Sequence, residues 1–156
     1  MEIERKFLWN YDFELDKFIY VRKSWISDYY FNEFCRLRCE QGWCDTSPKY
    51  CITIKSKGTL SREEYEFPVS VDDVKLYNLG CCLDKIRLII PYFNVNFQVN
   101  IFDKVKYEEQ PLILVEVELE SAEQKVELPP WVGREVTNDL NFYGFNLFKY
   151  NCIGDK

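Results

Sequence analysis

The 156-residue sequence contains no histidine. That absence excludes Ser-His and Cys-His nucleophile pairs, and it removes imidazole as a metal ligand. The seven cysteines, Cys35, Cys39, Cys44, Cys51, Cys81, Cys82 and Cys152, include no Cys-x-x-Cys pair and are odd in number. Structural zinc is therefore not expected, and free thiols in a reducing cytoplasm are. No apolar run approaches the roughly 20 residues of a membrane-spanning helix, and the charged start is unlike a signal peptide. A cytoplasmic location without a membrane partner is the expectation. Basic residues are outnumbered 20 to 26, for a net charge of −6. Bulk attraction to a nucleic acid duplex is not expected, although a local anion site can oppose the net charge. Chemistry must run on carboxylates, Lys, Arg, Tyr or a bound metal.

What the chain does have is aromatics, at 17% of residues, and alternation. Both favour strands. The pattern predicts strands near 2–9, 18–26, 33–40, 49–57, 62–69, 83–90, 95–102 and 112–120, with turn residues such as Lys57-Gly58 and Gln110-Pro111 between them. A helix is predicted over Val71–Leu79, with Ser70 as N-cap and Gly80 at its end. Ser121 to Gln124 reads as a capping box opening a short helix. A last helix is predicted after Thr137, through Asp139 to about Phe148. The expected class is α+β, mainly β, in a single domain over 1–156.

The first strand spaces Glu2, Glu4 and Lys6 two apart. Five later strands repeat that spacing in Arg36-Leu37-Arg38, Thr53-Ile54-Lys55, Glu64-Tyr65-Glu66, Lys85-Ile86-Arg87 and Glu116-Val117-Glu118. Residues at i and i+2 share one face of a strand. One reading is the wet face of an antiparallel sheet. The other is a closed sheet of about eight strands whose polar face turns inward and whose core lies outside, under covering helices. The charges are sorted by strand into acidic and basic sets, and adjacent like charges repel. That sorting favours an interior in which carboxylates meet a hard cation and Lys and Arg meet a polyanion.

The ordered set MEIERKFLW, Arg36-Leu37-Arg38, CITIK (51–55), GTLSREEYEF (58–67), DKIR (84–87), LVEVEL (114–119) and PPWVGREVTND (129–139) spans nearly the whole chain. It resembles the CYTH superfamily, the triphosphate tunnel metalloenzymes, and most of all its small bacterial-type members. The resemblance implies a closed eight-stranded antiparallel β-barrel, with a few covering helices and a C-terminal helix at one end. It implies Mg²⁺ or Mn²⁺ as cofactor and a small-molecule triphosphate as partner. Glu2, Glu4, Glu116 and Glu118 match metal-binding carboxylates. Lys6, Arg36, Arg38, Lys55, Lys85 and Arg87 match phosphate-binding positions. Glu64 and Glu66 match a middle acidic pair that holds a second metal or orients the basic residues, and with Glu2, Glu4 and Lys6 they make the expected catalytic set. The expected reaction is metal-dependent hydrolysis of a triphosphate, foremost inorganic tripolyphosphate to diphosphate plus phosphate, by a monomer or homodimer. The alternatives are a class IV-type adenylate cyclase, a nucleoside or thiamine triphosphatase, or a non-catalytic module that binds a nucleotide or polyphosphate.

The chain departs from this pattern at several points. Asn100 stands where relatives commonly place an Asp near the metal, so it is a weaker candidate ligand, with Asp103 as an outward-facing neighbour. Lys23-Ser24-Trp25 replaces a neutral Gln-Gly-Tyr and bears on substrate width. Asn141 occupies a stretch where Arg is frequent, with Lys149 one or more turns later. The stretch 103–111 reads as a long loop carrying Lys104 and Lys106. Trp131, after Pro129-Pro130, is expected to seat the final helix. Cys35 and Cys39 share parity with Leu37 and are expected on the apolar side.

Overall fold

The computed structural model describes residues 1–75 and 78–152. Ten strands form: β1 (Glu2–Trp9), β2 (Arg22–Asn32), β3 (Cys35–Gly42), β4 (Lys49–Lys55), β5 (Ser61–Arg62), β6 (Glu64–Val69), β7 (Leu83–Tyr92), β8 (Val95–Tyr107), β9 (Gln110–Glu118) and β10 (Val132–Glu135). Among the described residues there are also two short helices, α1 (Val71–Val74) and α2 (Gly144–Cys152), and two 3-10 turns, Leu15–Lys17 and Leu140–Phe142. Every pairing is antiparallel, in the order β10-β1-β9-β8-β7-β2-β3-β4-β6. The chain from 61 to 69 closes the sheet. Its β6 half pairs with β4, and its β5 half pairs with β1 through Glu2 opposite Arg62 and Ile3 opposite Ser61. The Glu4 amide also donates to the Leu60 carbonyl at 2.9 Å. Eight strands thus encircle the interior, and β10 adds to the far half of β1. This is the expected barrel.

Two apolar clusters hold it. On the outside, Phe7, Leu88, Phe97, Val99, Val115 and Val117 of neighbouring strands are covered by Trp131. Tyr11, Phe13, Leu15 and Phe18, from the segment between β1 and β2, also pack on this face. The expected covering helices are therefore replaced on this face by irregular chain. Trp131 stacks on Trp9 at 5.3 Å between ring centroids, and Phe97 meets it edge-on at 5.3 Å. It does not seat the final helix as expected. The second cluster, with Leu8, Leu83, Phe102, Leu112, Leu114 and Leu147, carries α2, and four of its members line the barrel cavity.

Several boundaries move. The second strand begins at Arg22 and runs to Asn32, later than 18–26, because Phe18 and Tyr20 are drawn into the outer aromatic cluster. The stretch 103–111 is no loop. The pairing is irregular between Phe102 and Lys106, a stretch that buries Val105; it resumes at Lys106, and β8 turns into β9 at Glu108-Glu109, both at positive φ. Strand β10 was not anticipated: it is four residues long and contains Gly133.

The helices are shorter than expected or replaced. Ser70 caps α1 by accepting from the Asp73 amide, as expected, but the helix spans only Val71–Val74. Residues 78–80 belong to no helix or strand, and positions 76 and 77 lie outside the described residues. Ser121 to Gln124 forms a turn, in which Gln124 Oε1 accepts from the Glu120 amide, in place of a helix. Asp139 caps a 3-10 turn by accepting from the Asn141 amide, and α2 starts only at Gly144.

Cys81 and Cys152 are joined by a disulfide, which corrects the expectation of free thiols throughout. The bond ties the end of α2 to Cys81, two residues before β7 begins. Cys35, Cys39, Cys44, Cys51 and Cys82 are free.

Candidate active site

The parity of the doublets puts their charged members inside the barrel. A cavity of about 420 Å³ is lined by Glu2, Glu4 and Lys6 of β1, Arg36 and Arg38 of β3, Lys55 of β4, Glu64 and Glu66 of β6, Lys85 and Arg87 of β7, and Glu116 and Glu118 of β9. The strands were sorted by charge in sequence, and the register mixes them. Lys6 stands opposite Glu116, and Lys55 opposite Glu64. The cost of collecting like charges on one strand is offset across to the next.

The pairs differ in closeness. Lys55 Nζ reaches Glu64 at 2.8 Å and Glu2 at 3.7 Å. Glu116 lies between Lys6 at 3.8 Å and Arg87 at 3.9 Å. Burial pushes its carboxyl up, but Lys6, Lys85 and Arg87 outweigh burial and hold it well below the usual range. Burial also pushes the Lys85 ammonium well down, and neighbouring Arg87 and Arg38 add to that. The Lys6 ammonium donates to the Phe142 carbonyl at 3.3 Å and lies 5.0 Å over the Tyr143 ring. The segment before α2 is therefore part of the wall.

One register pair is not compensated. Glu4 stands directly opposite Glu118. Carboxylate oxygens of Glu2, Glu4 and Glu118 all lie within 4.8 Å of one another. Burial, followed by the Glu116 charge, raises the Glu4 carboxyl to about 8. Burial, Glu2 and Glu64 raise that of Glu118. Three hard oxygen donors that repel one another suit a divalent cation such as Mg²⁺ or Mn²⁺. Of the four carboxylates expected at a metal, Glu116 is outside this three-oxygen group: it lies between Lys6 and Arg87, yet near enough to Glu4 to raise that carboxyl. So is Asn100, which is fully buried and whose Oδ1 accepts from Arg87 Nε at 2.8 Å.

The other departures fall outside the cavity. Lys23 and Trp25 lie against each other away from the lining, Ser24 is buried between them in sequence, and Lys149 lies over Phe145. Lys104 pairs with Asp84 at 3.0 Å, and Asp103 and Lys106 are exposed. Asn141 lines a separate shallow groove.

The cavity also contains residues the sequence reading passed over. Arg62 donates to Glu2 at 2.8 Å. It precedes Glu64 by two residues, so parity alone could have found it. Asp28 binds Arg38 through both oxygens at 2.8 and 2.9 Å, and Tyr30 approaches Arg36 at 3.5 Å. Both were hidden because β2 was placed too early in the chain. Gly144, Asn146 and Leu147 of α2 lie against the cavity with no charge pattern to announce them.

A closed antiparallel sheet thus surrounds a charged interior in which clustered carboxylates face a cationic wall. No protein-family model matches the chain. The inorganic triphosphatase of Acetivibrio thermocellus is 28% identical over 155 residues, covering 95% of this chain and 93% of its own. That of Nitrosomonas europaea is 36% identical over 101 residues, covering 60% of this chain and 64% of its own. A solved structure of an inorganic triphosphatase aligns over 95% of this chain and 94% of its own, with 28% identity and a TM-score of 0.59. Fold, site and relatives together fit the CYTH, or triphosphate tunnel, superfamily.

Proposed function

We propose that this chain is a metal-dependent triphosphatase that hydrolyses inorganic tripolyphosphate to diphosphate and phosphate. It acts as one domain over 1–156, as a monomer or homodimer. The observation that carries the reading is the meeting, in one cavity, of the Glu2, Glu4 and Glu118 carboxylates with a wall of Lys and Arg. Relatives named inorganic triphosphatase along nearly the full chain support it.

Glu2, Glu4 and Glu118 would hold Mg²⁺ or Mn²⁺. When bound, that ion supplies charge neutralisation and Lewis acidity toward phosphoryl oxygens. The protein's own groups do the rest. Arg87, Arg36 and Lys85 bind the phosphate chain and hold it extended, Arg in a fork and Lys as a point charge. Lys55 and Arg62 neutralise the oxygens nearer the acidic wall. Lys6, fixed by Glu116 and the Phe142 carbonyl, fits a terminal phosphoryl oxygen. Glu66, exposed at the cavity wall, orients the attacking water and accepts its proton, while Glu64 keeps Lys55 in place. Charge leaving with diphosphate is stabilised by the same cations, so no covalent intermediate on the protein is required. Five free thiols favour a cytoplasmic setting, where the Cys81–Cys152 bond is the exception.

The test is phosphate release from tripolyphosphate, ATP and thiamine triphosphate with Mg²⁺ or Mn²⁺, for wild type and Glu4→Gln. The expected result is release from tripolyphosphate that is fastest in wild type and lost in the variant. Tight binding without release from any substrate overturns the reading in favour of a binding module. Cyclic AMP and diphosphate from ATP would identify a cyclase.

A further inference from the structure

Arg38 and Arg87, two guanidiniums of the cavity, are each braced from a neighbouring strand, in different ways. Arg38 spends both prongs of its fork on Asp28, at 2.8 and 2.9 Å from the two carboxylate oxygens. The Asp28 side chain is 1% exposed, so water does not share in that pairing. Its second oxygen is also 3.8 Å from Arg36. Arg87 is braced in the same manner, from the neighbouring strand and through Nε, but by neutral Asn100. One brace cancels the charge it orients; the other is neutral, and the carboxylate beside Arg87, that of Glu116, stays at 3.9 Å without a fork-to-fork pairing. Arg36 falls between them: it shares Asp28 at longer range, and its buried Nε has no hydrogen-bond partner.

We propose that Asp28 is a positioning residue that sets the cavity's polyanion specificity by withdrawing Arg38 from substrate binding and leaving the grip to Arg36 and Arg87. The inference rests on the reading of the cavity as a triphosphate site. Its consequence is a site that does not bind a bare polyphosphate tightly. An extra free guanidinium would hold the metal-free chain and would also hold diphosphate after cleavage. Asp28 keeps the attraction low enough that the anion binds only with its cation, and product leaves.

Three proteins test this: wild type, Asp28→Asn, and the pair Asp28→Asn with Arg38→Gln. Tripolyphosphate and diphosphate are titrated in the presence of a chelator, read by the rise in Tm and by calorimetry. Steady-state hydrolysis is measured with Mg²⁺. Asp28→Asn is expected to bind metal-free tripolyphosphate about tenfold tighter and to lower KM and kcat together, because diphosphate now leaves slowly. The double variant is expected to return to within about twofold of wild-type affinity, since it removes a self-neutralised pair. Unchanged or weaker anion binding by a folded Asp28→Asn overturns the inference. So does a loss of about tenfold or more in the double variant, which would mean that Arg38 itself grips phosphate. If Asp28→Asn does not fold, the double variant decides alone. A wild type that ignores tripolyphosphate, with or without Mg²⁺, overturns the functional reading and this inference with it. Failure of the variants beside a wild type that binds overturns only the inference.

Discussion

Glu4 is the residue whose state depends most on what fills the cavity. Its folded value of about 8 lies above the usual 4.5, so the folded protein holds a proton that the unfolded chain gives up. The stability this represents is present at low pH and is lost as pH rises through about 8. Glu4→Gln keeps the shape without the charge. It should abolish most hydrolysis, by about a hundredfold or more, while raising the Tm of metal-free protein at pH above 8. A lower Tm there would show that Glu4 is not held protonated. The proposed metal would have to expel that proton, so apparent Mn²⁺ affinity should climb steeply between about pH 6 and pH 8. Asp28 has the opposite sign. Burial pushes its carboxyl up, but the Arg38 and Arg36 charges prevail and hold it far below 3.8. Its contribution is full above the ordinary Asp range and is lost only as pH falls well into acid.

Among the elements, α2 decides the shape of the cavity's wall without contributing a charge to it. A Cβ on Gly144 would collide with the Tyr30 hydroxyl, which approaches Arg36. Gly144→Ala should therefore cost about 1–3 kcal/mol and raise KM for tripolyphosphate, as Tyr30 and then Arg36 are displaced. Chemical denaturation and initial rates check the two parts. The Cys81–Cys152 bond holds the other end of the helix. Cys152→Ala should destabilise oxidised protein by about 2–4 kcal/mol, and a dithiol reductant should erase the difference between variant and wild type. Equal melting of the two without reductant would mean that the bond does not form in solution.

At the scale of the whole molecule, the barrel is stabilised from outside and charged within. Trp131 is the residue on which the outer cluster converges, touching Trp9, Phe18, Tyr92 and Phe97. Trp131→Ala should cost about 3–5 kcal/mol, measured by urea unfolding, and a value near zero would sink this account of the outer core. Inside, among the described residues, eight acidic and eight basic side chains line the cavity. A balanced interior in a chain of net charge −6 offers a polyanion little by itself. Metal and tripolyphosphate should each raise the other's affinity by the same factor, of about tenfold or more. Calorimetry with each ligand, alone and then in the presence of the other, reads that factor, and independent binding would contradict the proposed pairing of acidic and basic walls.

The barrel was legible before folding because a strand's side chains alternate by geometry. Charged doublets on five strands, with Thr53 and Lys55 at the same spacing on a sixth and apolar residues between most of them, allow few arrangements, and the inward placement of Glu2, Glu4, Lys6, Lys85 and Glu116 follows from their spacing. Register is a different matter, since it depends on turns and bulges that alternation does not encode. Only the tertiary structure set Glu4 against Glu118 and Lys6 against Glu116, and only it moved β2 far enough along the chain to bring Asp28 to Arg38. The sequence by itself determined which residues face inward. The tertiary structure decided which of those charges cancel, because cancellation depends on distances across strands.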